Sequence, residues 1–368
     1  MQKNTHTDLV KLAQEKLDNK TKPIGSLGVL ETVAAQLAAI QGSLSPQINL
    51  KRMLIFAASH GVAAEGISAY PAEVTGQMVL NFLTGGAAIN VLARHGNMQL
   101  YVIDVGVDAD LPEDVRNVRS FFSKRVSRGT CNFAKVPAMT VDECEAAMKV
   151  GREQVDLAMD EQVEIIGIGE MGIGNTTAAA ALFSAILGIE PELAVGPGTG
   201  LDAKGIRHKS DVVRNAIELH RPSAKTDPLS WLRSVGGFEI AAMVGVILEA
   251  TRRRTPVVVD GFIATSAAAV AFEIEPAARE VCFFGHCSDE KAHRMVLDRL
   301  NVQPILDLKM RLGEGTGAAL AMHLIEAGAK FLCEMATFES AGVSSSANDA
   351  NRHVSAGDSD NSENQALA

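Results

Sequence analysis

Large rings are scarce in this sequence. It has one tryptophan and two tyrosines, and aromatic residues make up 4% of 368. Alanine and glycine take their place, which suits closely packed α/β layers better than a β-sandwich. A basic surplus is also missing. The formal net charge of −10 leaves nothing to neutralise a phosphate backbone, so nucleic acid is not expected as a partner. The one cationic run, Arg252–Arg254, precedes TPVVVD and reads as a solvated helix end. The cysteines are Cys131, Cys144, Cys282, Cys287 and Cys333, and none forms a C-x-x-C pair. His286 beside Cys287 lacks further ligands at zinc-site spacing. Small buried thiols in a reducing compartment are expected, and no metal. The N-terminus, MQKNTHTDLVKLAQEKLDNK, has no apolar signal core. No uninterrupted apolar run reaches the ~18 residues of a membrane span. These absences point to a cytoplasmic protein without membrane contact.

What is present is a hydrophobic fraction of 47%, enough to bury a large core. The first fifty residues carry two helical patterns, LVKLAQEKL and LGVLETVAAQLAAI, separated by the loop KPIGSLG. Short apolar runs follow: MLIFAAS (53–59), LYVIDVG (100–106), VEIIGIG (163–169), PVVVDG (256–261) and VCFFGH (281–286), with LAVGPG (193–198) as a weaker sixth. Runs without polar alternation are expected of strands covered on both faces, hence a parallel sheet. Helical patterns lie between them, including VTGQMVLNFLTGGAAINVLARHG as one helix, TAAAALFSAILG and GFEIAAMVGVILEATRR. The alternation predicts an α/β fold, a Rossmann-like, largely parallel sheet with helices on both faces. Residues 1–50 and 301–342 would form a small helical domain beside a large domain of residues 51–300. From about Ser340 the chain turns polar and low in complexity, and 343–368 reads as a disordered tail.

Ligands of open parallel sheets bind beyond the carboxyl ends of the strands. There the sequence places Ser59, His60 and Gly61, then Glu170 to Thr177, then Asp260 and Gly261, and finally Gly285, His286 and Ser288. GIGEMG matches G-x-G-x-x-G, but Ile173–Gly174–Asn175 delays the helix to about Thr176, and the next strand candidate ends without an acid for a ribose diol. A monophosphate fits better. GIGNTT offers a turn, Asn175, Thr176 and Thr177 as side-chain donors, and a helix N-terminus. GPGTGLDAKGIRHK repeats the logic, with Gly198, Thr199 and Gly200 in the turn and Lys204, Arg207, His208 and Lys209 after it. Simple helix capping by Asn175 or Thr176 is the plainer alternative. No P-loop and no acidic pair for magnesium is evident, so a phosphate ester is favoured over a nucleoside triphosphate.

Two glutamates stand among glycines at strand-to-helix junctions, Glu170 and Glu314. Neither position offers packing or helix propensity, and glycine lets the backbone approach a ligand closely. Either could be an exposed accident. Together they read as carboxylates whose pKa a partly dry cleft would raise, one of them a base. In SAYPAEVTGQMVLNFL, Val74, Met78, Asn81 and Phe82 share a helical face with Gln77 nearby. The segment reads either as a core helix or as a pocket wall.

HGVAAEGISAYPAEVTGQMVLNFLTGGAAINVLAR, GIGEMGIGNTTAAAAL, VGPGTGLD, VGGFEIAAMVGVILEA, VVVDGFI and RLGEGTGAALAM, in this order, closely resemble the nicotinate-nucleotide:dimethylbenzimidazole phosphoribosyltransferase family. The likeness runs over about residues 20–342, with KPIGSLG and EMATF as further blocks. It implies 5-phosphoribosyl transfer from nicotinate mononucleotide to 5,6-dimethylbenzimidazole, yielding nicotinate and α-ribazole 5′-phosphate, a precursor of the lower ligand of cobalamin. It also implies a homodimer and no cofactor. Matched by motif, Glu314 is the base and Glu170 the second active-site carboxylate. Gly174, Asn175, Thr176, Thr177, Gly200, Lys209, Gly261 and Ser288 would hold phosphate and ribose, while Tyr70, Gln77, Met171 and Leu312 would line the base pocket. Position 69 is alanine where a polar residue would be allowed, which leaves the pocket's fine shape open. An NAD-dependent oxidoreductase using GIGEMG and a non-catalytic azole- or nucleotide-binding protein are the competing readings.

Overall fold

The computed structural model describes residues 5–344 except 117, 199, 225 and 226. Thr199 and most of the polar tail therefore lie outside the described residues. Among the described residues seven strands form one sheet: β1 (Lys51–Ala58), β2 (Gln99–Gly106), β3 (Phe121–Ser123), β4 (Ile165–Met171), β5 (Val257–Val259), β6 (Cys282–His286) and β7 (Pro304–Leu306). Their order is β3-β2-β1-β4-β5-β6-β7, and every pair is parallel. The order reverses between β1 and β4, where a doubly wound sheet opens its ligand crevice. Helices α1 (His6–Asp18), α2 (Val29–Gln41), α3 (Val74–Thr84), α4 (Ala88–His95), α5 (Glu113–Arg116), α6 (Val141–Asp160), α7 (Asn175–Leu187) and α8 (Pro191–Ala194) make up the first half. The second half holds α9 (Ala203–Ala224), α10 (Pro228–Val235), α11 (Phe238–Arg253), α12 (Phe262–Ile274), α13 (His293–Leu300), α14 (Thr316–Glu334) and α15 (Phe338–Ala341).

The expected α/β architecture is what forms, with differences in detail. β3 and β7 are three-residue edge strands that no apolar run announces. LAVGPG is not a strand: Pro191 at the first helical position starts α8, and the chain then turns. Val74–His95 has spanning length and a mean hydropathy of 1.2, yet it forms two helices. Gly85 ends α3 in the left-handed region at φ 84°. Asn90 then fastens the break, donating to the Phe82 carbonyl at 2.8 Å and accepting from the Ala87 N–H at 3.1 Å. Cys144, Cys282 and Cys287 are buried as expected, whereas Cys131 and Cys333 are exposed, and all five are free thiols. The Arg252–Arg254 run does close a helix, pairing with Glu249 and Asp156.

Small residues set the spacing of the layers. A Cβ at Gly169 in β4 would stand 2.3 Å from the Gly315 backbone N, and one at Gly285 in β6 would stand 2.9 Å from that of Ala318. The glycines thus admit the start of α14 directly onto the strand ends. The far half of α14 meets α1 and α2 through a cluster of Ala13, Leu17, Ala34, Ala35, Ala38 and Leu332. On the other face α6 and α11 cross at Gly151 and Gly245, whose Cβ atoms would lie 1.8 Å from the Ala242 carbonyl oxygen and 2.0 Å from that of Met148. Backbone cannot yield there as a side chain can. Gly151→Ala should therefore destabilise the fold by about 2–3 kcal/mol, read as a lower urea midpoint at unchanged slope.

Candidate active site

A cavity of about 510 Å³ opens beyond the carboxyl ends of the strands. β4 delivers Glu170 and Met171, β5 leads into Asp260 and Gly261, and β6 ends at His286 just before Ser288 and Glu290. The loop Arg311–Glu314 lines it, as do the apolar side chains of Val74 and Met78 with Tyr70. Glu170 belongs to β4 itself rather than to a loop, paired in register with Phe56 of β1. The first two glycines of GIGEMG, Gly167 and Gly169, are likewise inside the strand. They face Met53 and Gly315 and make room for packing, so they are no pyrophosphate turn.

Glu314 is held in an unusual backbone. It lies at φ 62° between Gly313 at 80° and Gly315 at 79°, three left-handed residues in a row. A side chain in that region costs about 1–2 kcal/mol. Asp260 supplies the restraint. Its carboxylate accepts from the N–H groups of Gly315 at 3.1 Å, Gly317 at 2.7 Å and Ala318 at 3.0 Å. This caps α14 from a neighbouring strand and sets its negative charge at the helix's positive end. Glu314 Oε2 is buried without a hydrogen-bond partner among the described residues. Burial raises the Glu314 pKa, opposed by a backbone hydrogen bond from Ile89 and aided by the Asp260 charge.

Glu170 is buried and accepts a hydrogen bond from the Asn175 amide. Burial first, then the charges of Asp260, Glu239 and Glu314, push its pKa to about 8, with Asn175 opposing. Glu170 is thus a neutral acid at pH 7, while Glu314 and Asp260 complete a compact acidic cluster.

The phosphate-like end lies at the start of α7. Gly174 turns at φ 100° into the helix without a side-chain cap, and Thr176 Oγ1 accepts from Lys209 Nζ at 2.7 Å. Burial lowers the lysine to about 8, with Glu290 pulling the other way. Gly261 opens α12, also uncapped, beside Ser288. Two bare helix starts and a buried ammonium suit an anion. His293, unnoticed in the sequence, fixes this corner. Its Nδ1 accepts the Ser288 N–H at 2.8 Å while Nε2 meets Thr265 Oγ1 at 3.0 Å. Burial lowers its pKa to about 3, so it is neutral.

The sequence candidates are unevenly placed. Glu170, Glu314, Asn175, Thr176, Gly261, Ser288, Tyr70, Met171 and Leu312 line the cavity. Gly174 and Lys209 support it from behind. Thr177 is fully buried one residue further in, its hydroxyl unpartnered among the described residues. Gly200 sits in a left-handed turn at φ 119° facing open space and does not line the cavity. Gln77 is exposed, roughly 100° around α3 from Met78, and is not among the lining residues. Lys204, Arg207 and His208 are not among them either. His286, Glu290 and Arg311 line the cavity as well; only His286, at a strand end, carried a signal in the sequence.

The raised pKa of Glu170 has a thermodynamic consequence. Its folded form keeps a proton up to about pH 8, whereas the unfolded side chain loses it near 4.5. Over that window the folded state binds more protons, so stability falls as pH rises. Glu170→Gln should remove this slope and be more stable than wild type by a few kcal/mol above pH 8, measured by urea titration across pH.

Comparison with known proteins identifies the family. A family model described as "Phosphoribosyltransferase" matches residues 3–343. The nicotinate-nucleotide–dimethylbenzimidazole phosphoribosyltransferase of Citrifermentans bemidjiense is 51% identical over 334 residues, 91% of this chain and 94% of that protein. Its counterpart from Geobacter sulfurreducens is 50% identical over 336 residues, 91% and 94%. The crystal structure of CobT from Thermus thermophilus superposes with a TM-score of 0.87 at 46% identity, covering 92% of this chain and 99% of that one. Likeness of this extent, over nearly the whole of each chain and with the strand-end cavity in place, makes this chain a member of the nicotinate-nucleotide–dimethylbenzimidazole phosphoribosyltransferase family.

Proposed function

We propose that the cavity transfers 5-phosphoribosyl from nicotinate mononucleotide to 5,6-dimethylbenzimidazole, giving α-ribazole 5′-phosphate and nicotinate for nucleotide-loop assembly of cobalamin. One observation carries the reading: the buried Glu314 carboxylate, whose Oε2 has no partner among the described residues, lines the same cavity as Thr176, the hydroxyl that Lys209 meets. The phosphate sits at the starts of α7 and α12, near Thr176, Ser288 and Lys209. The azole lies against Tyr70, Val74, Met78, Met171 and Leu312.

An azole nitrogen attacks the anomeric carbon from the face opposite nicotinate, inverting β to α. Nicotinate leaves from a cationic pyridinium, which takes up the bond's electron pair and becomes neutral at nitrogen. The adduct is a benzimidazolium whose remaining N–H is acidic. Glu314 takes that proton as charge develops, and its raised affinity for protons suits it to the task. Glu170, protonated at neutral pH, donates a hydrogen bond toward the ribose rather than repelling the phosphate. Holding both substrates in line supplies much of the remaining acceleration.

The family resemblance supports a homodimer and a division into a large domain of residues 51–300 and a small one from residues 1–50 and 301–342. The five free thiols support a cytoplasmic setting. Glu314→Gln keeps the side chain's shape and removes the base. Benzimidazole-dependent nicotinate release should fall by roughly a hundredfold or more with the fold intact by circular dichroism; undiminished turnover would remove Glu314 from the role of base.

A further inference from the structure

Beneath the turn that joins β4 to α7 lies a buried hydrogen-bonded pair that the transfer chemistry leaves unused. His60 Nε2 meets Glu239 Oε1 at 2.6 Å, and both side chains are 0% exposed although 179 residues separate them. His60 follows β1, and Glu239 lies in the first turn of α11, where the helix dipole favours a negative charge. His60 Nδ1 and Glu239 Oε2 have no partner among the described residues. Buried polar atoms left half satisfied are costly, and their retention asks for a reason.

The surroundings supply one. A Cβ on Gly172 would lie 3.2 Å from the His60 ring, and a Cβ on Gly237 would lie 2.3 Å from it and 2.7 Å from Glu239 Oε2. The imidazole is therefore clasped between the β4–α7 turn and the start of α11. That turn aims Glu170 on one side and opens the anion corner at α7 on the other. We propose that His60 and Glu239 are positioning residues of the transfer site, a buried pair that fixes the Gly172–Gly174 turn and places a carboxylate behind Glu170.

The inference rests on the phosphoribosyl-transfer reading. Glu239 from α11, Asp260 from the end of β5 and Glu314 from the α14 loop all raise the proton affinity of Glu170, while the Asn175 amide from α7 lowers it. Neutralising Glu239 thus lets Glu170 release its proton at lower pH. Loosening the turn weakens the grip of α7 on phosphate and should raise KM for the nucleotide more than KM for the azole.

The test is a pH profile of kcat/KM for nicotinate release in wild type, Glu239→Gln, His60→Ala and His60→Gln. A glutamine amide stands where His60 Nε2 stands, so it can still donate to Glu239. We expect the limb near pH 8 to move to lower pH in Glu239→Gln. His60→Ala should lose roughly tenfold or more in kcat/KM, chiefly through KM for nicotinate mononucleotide, and His60→Gln should recover most of it. An unmoved limb in Glu239→Gln, or losses in His60→Ala confined to kcat as a smaller folded fraction would give, overturns the proposal. If His60→Ala fails to fold, the limb in Glu239→Gln decides alone. A wild type that releases no nicotinate with added benzimidazole defeats the transfer reading instead. Calorimetric titration of the same variants with nicotinate mononucleotide then still shows whether the pair holds the turn.

Discussion

The site depends on one interaction, the Asp260 carboxylate accepting three backbone N–H groups at the start of α14. It joins the end of a central strand to a helix start that lies 55 to 58 positions later in the chain. Without it, the left-handed run Gly313–Glu314–Gly315 would have little to oppose its strain, and the helix would begin with free N–H groups in a buried place. Glycines at 169 and 285 complete the arrangement by letting that helix start rest on the strand ends. Glu314 is thereby held rigidly with one oxygen left over.

Gathering carboxylates is expensive, and the electrostatics show how the cost is met. Burial raises the Asp260 pKa, opposed by His286 and by the three N–H groups whose hydrogen bonds it accepts. Glu170 meets the same field by keeping its proton. Glu290, at the other end of the cavity, is raised by burial and offset by Lys209. One cavity thus has an acidic end suited to a cationic transition state and an anion corner built from helix starts and a lysine. A substrate that becomes positive at its sugar and azole while carrying a phosphate matches that polarity.

Much of this was legible in the sequence. Continuous apolar runs gave away β1, β2, β4, β5 and β6 because strands covered on both faces cannot alternate. β3 and β7 were hidden by their brevity at the sheet edges, and α8 by an apolar run that Pro191 turns into a helix. The glycine-flanked glutamates stood out because glycine on both sides of an acid has no packing explanation. Their electrostatic coupling did not, since it depends on distances across strands. Gln77 shows the limit of a helical wheel: it lies near the apolar face in projection but is exposed in the fold. His60 was visible as a strand-end residue, but its pairing with Glu239 was not, because the two lie 179 positions apart in the chain; His293 behind Ser288 read as an ordinary core residue.

An in-line displacement at the anomeric carbon requires the two partners to be held on opposite faces of the ribose. The most direct test is the configuration of the product formed by the purified protein from β-nicotinate mononucleotide and 5,6-dimethylbenzimidazole. Proton and carbon NMR should show the α-anomer of the ribosyl phosphate, formed in equal amount with nicotinate. A β-configured product, or nicotinate released without any ribosylated azole, would contradict it.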